Sequence, residues 1–269
     1  MAEFHLVPAD RVDPQRLHAA FGAAFADYLI GPFQLAPSQW PQFLGRQAVD
    51  LGLSRVAVEG DAVLAFCFVA PRPAWRRWRL ATMGAVPQAR GTGVAPALLD
   101  EFIARAPGGV ELECFAQNTR ALRLYEGRGF AVRDALYGYT FTATASSPRR
   151  REPSAPALED AFTWLDGRDL PLQVTGAALR ALPVPLQAWR EGSAQLVFSE
   201  AAERKVVIHS LVDGDAGQRD AQALVEALLG RYAEWTIHVP QLQRREVGGE
   251  ALERLSFERL PLHQVWMMR

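Results

Sequence analysis

Pro87-Gln88-Ala89-Arg90-Gly91-Thr92-Gly93-Val94-Ala95 separates two stretches of different periodicity. Before it, Arg77 to Val86 reads as a strand; after it, Val94, Ala95, Leu98, Leu99, Phe102 and Ile103 recur at helical spacing. Two glycines one residue apart permit a tight turn and keep Cβ atoms out of a ligand's way. The helix that follows opens with unpaired N–H groups and the positive end of its dipole. Pro96 falls in the first helical turn, where a missing N–H does little harm. Strand, glycine turn and amphipathic helix together make a cradle for a diphosphate, with an ordinary strand–helix turn as the plain alternative. No Gly-Lys-Ser or Gly-Lys-Thr follows, and the six-residue dinucleotide fingerprint is missing.

Working outward, a short strand over Phe4 to Val7 precedes a helix opened by Asp13 as cap and Pro14 as first residue. Its apolar positions are Leu17, Phe21, Ala24, Phe25 and Tyr28, and Gly31-Pro32 stops it. Ser38 is placed to cap a second helix carrying Trp40, Phe43, Leu44 and Leu51. Ser54–Val58 and Val63–Pro71 read as strands joined by Glu59-Gly60-Asp61. Downstream of the loop come a strand over Val110–Phe115, a helix over Thr119–Arg128 ended by Gly129, and closing strands Phe130–Val132 and Leu136–Thr144. This alternation predicts a mixed α/β domain over residues 1–145.

Residues 146–157 are rich in Pro, Ser and Arg and read as a solvated linker. From 158 to 269 the plan repeats loosely: a hairpin Gln195–Ser199 and Lys205–Leu211, a helix Gln218–Tyr232, a strand Trp235–Val239, a helix ending at Ala251–Leu255 and a strand Leu260–Met268. Ala121–Phe130 (ALRLYEGRGF) aligns with Ala251–Phe257 (ALERLSF), which suggests an internal duplication.

The first half carries a resemblance to a known family. Gln88-x-x-Gly91-x-Gly93 matches the Q/R-x-x-G-x-G/A signature of the GNAT (GCN5-related N-acetyltransferase) family, and Asn118-x-x-Ala121-x-x-Leu124-Tyr125-Glu126-x-x-Gly129-Phe130 looks like its second motif. Ala85 stands where the family often has valine. The resemblance covers residues 1–145 and implies two GNAT-like domains in tandem, each a central mixed sheet flanked by helices, the second degenerate. It implies acetyl-CoA as co-substrate. The backbone of Gln88, Ala89, Arg90, Gly91, Thr92, Gly93 and Val94 would hold the diphosphate, with Arg90 adding charge. Ala85 and Val86 would pair with the pantetheine arm; Asn118 would hydrogen-bond the cofactor or splay the neighbouring strand, Ala121 would also contact the cofactor, and Tyr125 would set its hydroxyl near the thioester sulfur.

A thiol titrates near ~8.5 and tyrosine near ~10, so full proton transfer to the leaving thiolate is uphill by roughly 2 kcal/mol. A hydrogen bond from Tyr125 is easier to justify, the plain alternative being a packing aromatic beside Leu122. An acceptor amine of pKa about 10.4 is only about 0.04% neutral at pH 7, so a base or water chain must deprotonate it. Glu113 and Glu111 share a strand face, and either is a candidate base or orients a water; Glu111, Asp27 and Tyr28 are candidate acceptor-site residues. For each of these four, a solvent-facing or packing role is the alternative.

The second half lacks such features. Its loop, Val212 to Gln218, places Asp213 and Asp215 where an anion would bind. His209 and His238 fall on its strands and read as ordinary core or surface residues.

Bulk composition narrows the remaining classes. With 29 basic and 30 acidic residues, no global field recruits nucleic acid or an anionic membrane. No run of 18 apolar residues spans a bilayer, and the first residues do not read as a signal peptide. Two cysteines, Cys67 and Cys114, imply no disulfide framework and a reducing, cytoplasmic setting. Five scattered histidines show no metal spacing. The expectation is an acetyltransferase for a small-molecule amine, without metal, as a monomer or homodimer. The alternatives are a non-catalytic acyl-CoA sensor and a protein N-acetyltransferase.

Overall fold

The computed structural model describes residues 4–143 and 153–269. It divides into two compact units. The first comprises residues up to Val132 together with Met267–Arg269, and the second runs from Arg133 to Trp266. The first unit thus ends at Val132 rather than at residue 145, because the strand that follows pairs inside the second unit. Most of the proposed linker lies outside the described residues.

The first unit opens with β1 (His5–Pro8) and α1 (Pro14–Ala24). Asp13 Oδ1 accepts from the N–H groups of Gln15 and Arg16 at 2.8 and 3.1 Å, the cap the sequence predicts. The helix ends at Ala24, seven residues before Gly31. α2 (Trp40–Arg46) is shorter than the spacing suggests: Leu51 belongs to β2 (Asp50–Glu59). Nor does Ser38 cap it. It lies in a preceding 3-10 turn, where Gln39 Oε1 accepts from Ala36 N.

β2, β3 (Ala62–Arg72) and β4 (Arg77–Ala85) form an antiparallel meander. α3 (Val94–Arg105) then crosses over to β5 (Gly109–Phe115), which runs parallel to β4, and α4 (Thr119–Glu126) follows. The strand order is β1-β2-β3-β4-β5. Successive β4 side chains point to opposite faces. Ala81 packs into the cluster of α1 and α2 with Phe21, Trp40, Phe66 and Phe68, whereas Trp78 meets Phe102 of α3 at 6.2 Å. Helices therefore cover both faces. At the far edge, Val110 N donates to Arg269 O and Arg269 N to Val110 O, so the chain's last residues complete this unit.

β6 (Ala131–Thr142) is one continuous strand rather than two, and it pairs antiparallel with β10. The second unit continues through α5 (Leu158–Asp166), α6 (Gly176–Leu179), β7 (Gln187–Glu191), β8 (Ala194–Ala201), β9 (Lys205–Asp213), α7 (Arg219–Arg231), β10 (Thr236–Arg244), α8 (Gly249–Arg254), β11 (Glu258–Arg259) and β12 (Gln264–Met268). Its order is β6-β10-β9-β8-β7, with β9 and β10 parallel and β11 also on β6. The run β7-β8-β9-α7-β10-α8 has the succession and pairing of β2-β3-β4-α3-β5-α4. Each unit is a mixed sheet flanked by helices.

Candidate active site

β4 and β5 pair only from Arg77↔Gly109 to Leu80↔Leu112, although β4 runs on to Ala85 and β5 to Phe115. Beyond Leu80 the other edge of β4 is held by β3 through Ala85↔Ala65. A strand-shaped slot opens where the two parallel strands part, and Ala85 stands at its end.

Residues Pro87–Ala89 form a 3-10 turn there, followed by Gly91 at φ 81° and Gly93 at φ 92°. Nothing lies within 4 Å of a Cβ built at either glycine, so it is the left-handed backbone that calls for glycine at these positions. Gly93 is the N-cap of α3 and supplies no side chain, leaving the first-turn N–H groups open at the slot. Thr92 Oγ1 donates to Ala89 O at 2.8 Å and tightens the loop from within. Gln88 and Ala89 lie in the turn and Val94 is buried at the helix start.

Arg90 turns back rather than outward. Its Nη1 meets Asp27 Oδ2 at 2.5 Å and Nη2 meets Oδ1 at 2.7 Å, while Nη2 also donates to Ala24 O at 3.1 Å. The guanidinium holds the Asp27 carboxyl below its usual range. The two residues, expected to serve cofactor and acceptor separately, are thus bound to each other.

Asn118 is the N-cap of α4 and accepts from Ala121 N through Oδ1 at 3.2 Å. Its side chain also lies beside the hydroxyl of Tyr28. Burial pushes that phenol up to about 12, with Cys114 nearby adding to the rise and Asn118 opposing it. Tyr125 is buried with its ring 5.9 Å from Phe130, edge to face. Burial raises its hydroxyl well above 10, and Cys114, Cys67 and Tyr28 are close enough to add to the effect. Asp27, Tyr28, Arg90, Asn118 and Tyr125 therefore gather around the mouth of the β4–β5 slot.

The two glutamates do not join them as free carboxylates. Glu113 is held by Arg79 at 2.6 Å, each side chain about 2% exposed, and Arg79 Nη1 reaches Gln47 Oε1 at 3.1 Å. Glu111 is bound by Arg72 and lies 3.1 Å from Arg77. Burial pushes the Glu111 carboxyl up while Arg72 pulls it down. The carboxylate expected as base is thus committed to a buried ion pair with Arg79. The signal that could have revealed this is the alternation itself: Arg77-x-Arg79 and Glu111-x-Glu113 sit on adjacent strands with matching period.

The corresponding place in the second unit is closed. Asp213 Oδ2 accepts from Ala221 N in the first turn of α7, and its Oδ1 from Asp215 N, both at 2.9 Å. Ser193 and Asp220 complete the cluster. Where β9 and β10 part, Gln243 Nε2 donates across to Leu211 O at 3.1 Å, beside a small cavity bordered by Ser210, Leu242 and Gln243. Ser199 Oγ and His209 Nε2 are 2.8 Å apart, and burial lowers His238.

Among the described residues no group of three His, Cys, Asp or Glu could hold a metal ion, and no helix is long and apolar enough to cross a membrane.

A family model described as acetyltransferase (GNAT) matches residues 21–130. No curated protein matches the sequence. Among solved structures, a GCN5-related N-acetyltransferase from Sphaerobacter thermophilus aligns at 18% identity over 99% of this chain and 95% of its own, with TM-score 0.61. One from Anabaena variabilis aligns at 14% identity over 99% and 72%, with TM-score 0.68. One from Kribbella flavida aligns at 17% identity over 99% and 71%, with TM-score 0.61. The loop and the parted strands lie inside the matched segment, so it is residues 21–130 that are similar to the GNAT acetyltransferase family.

Proposed function

We propose that the first unit binds acetyl-CoA in the β4–β5 slot and passes its acetyl group directly to the amine of a small-molecule acceptor. One observation carries this: the uncapped N-terminus of α3, reached through left-handed Gly91 and Gly93, stands at the end of a strand edge left open for an extended arm. A diphosphate satisfies the open N–H groups, and the pantetheine amides add to β4 beside Ala85 and Val86 as a further strand.

In the transfer, the amine nitrogen attacks the thioester carbonyl, the carbon–sulfur bond breaks and the electron pair leaves on sulfur. Tyr125 donates a hydrogen bond to that thiolate. With its own proton held more firmly than in water, it remains a donor rather than giving the proton up. The amine's proton departs through water, since Glu113 is committed to Arg79. Tyr28, positioned by Asn118, borders the acceptor.

The second unit is a degenerate repeat of the first. Its equivalent helix start is filled by Asp213 and its equivalent slot is bridged by Gln243, which supports one cofactor per chain.

The test is thermal stabilisation by acetyl-CoA, wild type against Gly91→Val/Gly93→Val. At 100 times the dissociation constant a ligand stabilises by about 2.7 kcal/mol. A shift present in wild type and absent in the variant supports the reading; no shift in folded wild type removes it. Binding without turnover on any amine or peptide tail would turn the reading to an acyl-CoA sensor, and turnover on peptides alone to a protein acetyltransferase.

A further inference from the structure

Resting on the acetyl-CoA reading above, we infer that Asp27 is a positioning residue that competes with the cofactor diphosphate for Arg90, so that cofactor binding frees the acceptor-side segment beginning at Asp27. The pair is bidentate, at 2.5 and 2.7 Å, and joins two elements that the transfer uses differently. Arg90 belongs to the loop between β4 and α3. Asp27 follows α1 and directly precedes Tyr28, whose ring lies 6.4 Å from Phe115 at the end of β5.

Asp27, the charged partner of Arg90, is 63% exposed while Arg90 is 26% exposed. A diphosphate seated on the open N–H groups of α3 would bring a larger negative charge to the same loop. Guanidinium binds phosphate and carboxylate through the same planar fork, so the two are direct rivals for Nη1 and Nη2. The contacts of Arg90 with Ala24 O and Ala85 O, at 3.1 and 3.4 Å, keep its side chain between the two positions rather than free in solvent. Once Arg90 turns to phosphate, the Asp27 carboxylate loses its bidentate partner beside Tyr28 and the exposed Leu29 and Ile30, with Arg120 as a weaker cation nearby. A cationic amine is the chemistry that replaces the guanidinium.

Affinities of coenzyme A and of pantetheine, which lacks the diphosphate, are measured by calorimetry for wild type, Asp27→Asn and Arg90→Ala. Removing the rival should tighten coenzyme A binding to Asp27→Asn by about two- to five-fold, the range of exposed ion pairs. Pantetheine affinity should stay unchanged, and Arg90→Ala should weaken coenzyme A alone. Unchanged or weaker coenzyme A binding by Asp27→Asn, in a wild type that does bind, overturns the competition and leaves the pair as a tie between loop and helix. An equal gain for pantetheine overturns it too. Failure of wild type to bind coenzyme A or acetyl-CoA at all overturns the acetyl-CoA reading itself, and the competition with it.

Discussion

The Arg79–Glu113 pair sets a large energetic asymmetry on two side chains. Glu113→Gln leaves Arg79 charged and buried, and should destabilise the protein by about 3–5 kcal/mol, read from the denaturant midpoint. Arg79→Met/Glu113→Leu together should cost far less, because no charge is stranded. Tyr125→Phe removes a donor from the proposed leaving sulfur; turnover should fall by about 10²-fold with acetyl-CoA affinity unchanged, measured by steady-state rates and calorimetry. Cys67 and Cys114 are buried, with Cys114 lifted to about 12, so neither should react with a thiol reagent at pH 8 in the folded protein. The helix that carries Asn118 and Tyr125 was legible because spacing along a helix survives in one dimension. The ion pair of Glu113 with Arg79 was not legible in the same way, because pairing between strands is not written in either one alone.

At the scale of elements, α3 and α7 follow the same succession of strands and differ in what meets their first turns. Glycine opens one and a carboxylate fills the other, and both were legible, since two glycines and two acids stand in the respective loops. The ends of α1 and α2 were not. Phe25 and Tyr28 keep helical spacing yet pack ring to ring at 5.0 Å beyond the helix, because an aromatic cluster satisfies them in either conformation. Burial of neutral groups along β5 and α4 also fixes an alkaline limit. Tyr28 and Cys114 each reach about 12, and Tyr125 is likewise raised. Groups whose folded values are raised hold their proton more tightly folded than unfolded. Their stabilisation is intact below the unfolded values, near 8.5 for thiol and 10 for phenol, and is lost as pH climbs through the folded ones. Unfolding midpoints should therefore fall steadily above about pH 9, and Cys114→Ala should shift the onset upward.

At the scale of the whole molecule, the first unit is made of two stretches of chain, with the whole of the second unit between them. β6 was split in the sequence reading at Arg133–Ala135, where polar residues interrupt the pattern, so its membership in the second unit was hidden. The last three residues gave no local sign of where they pack, since a strand edge accepts many sequences. Deleting Met267–Arg269 removes the buried Met267 and two backbone hydrogen bonds to Val110, at 3.0 and 2.9 Å. A loss of about 3 kcal/mol is expected, with faster hydrogen exchange at the Val110 amide. Unchanged protection at Val110 would show that edge to be held by something else. The same arrangement imposes an order on synthesis. A ribosome adding about 5–20 residues per second needs roughly 7–27 s to make residues 133–266. For that interval Val110 and its neighbours wait at an unfinished edge, so the half of the chain that emerges first is the last to close, and a chaperone that shields exposed strands would find its client there.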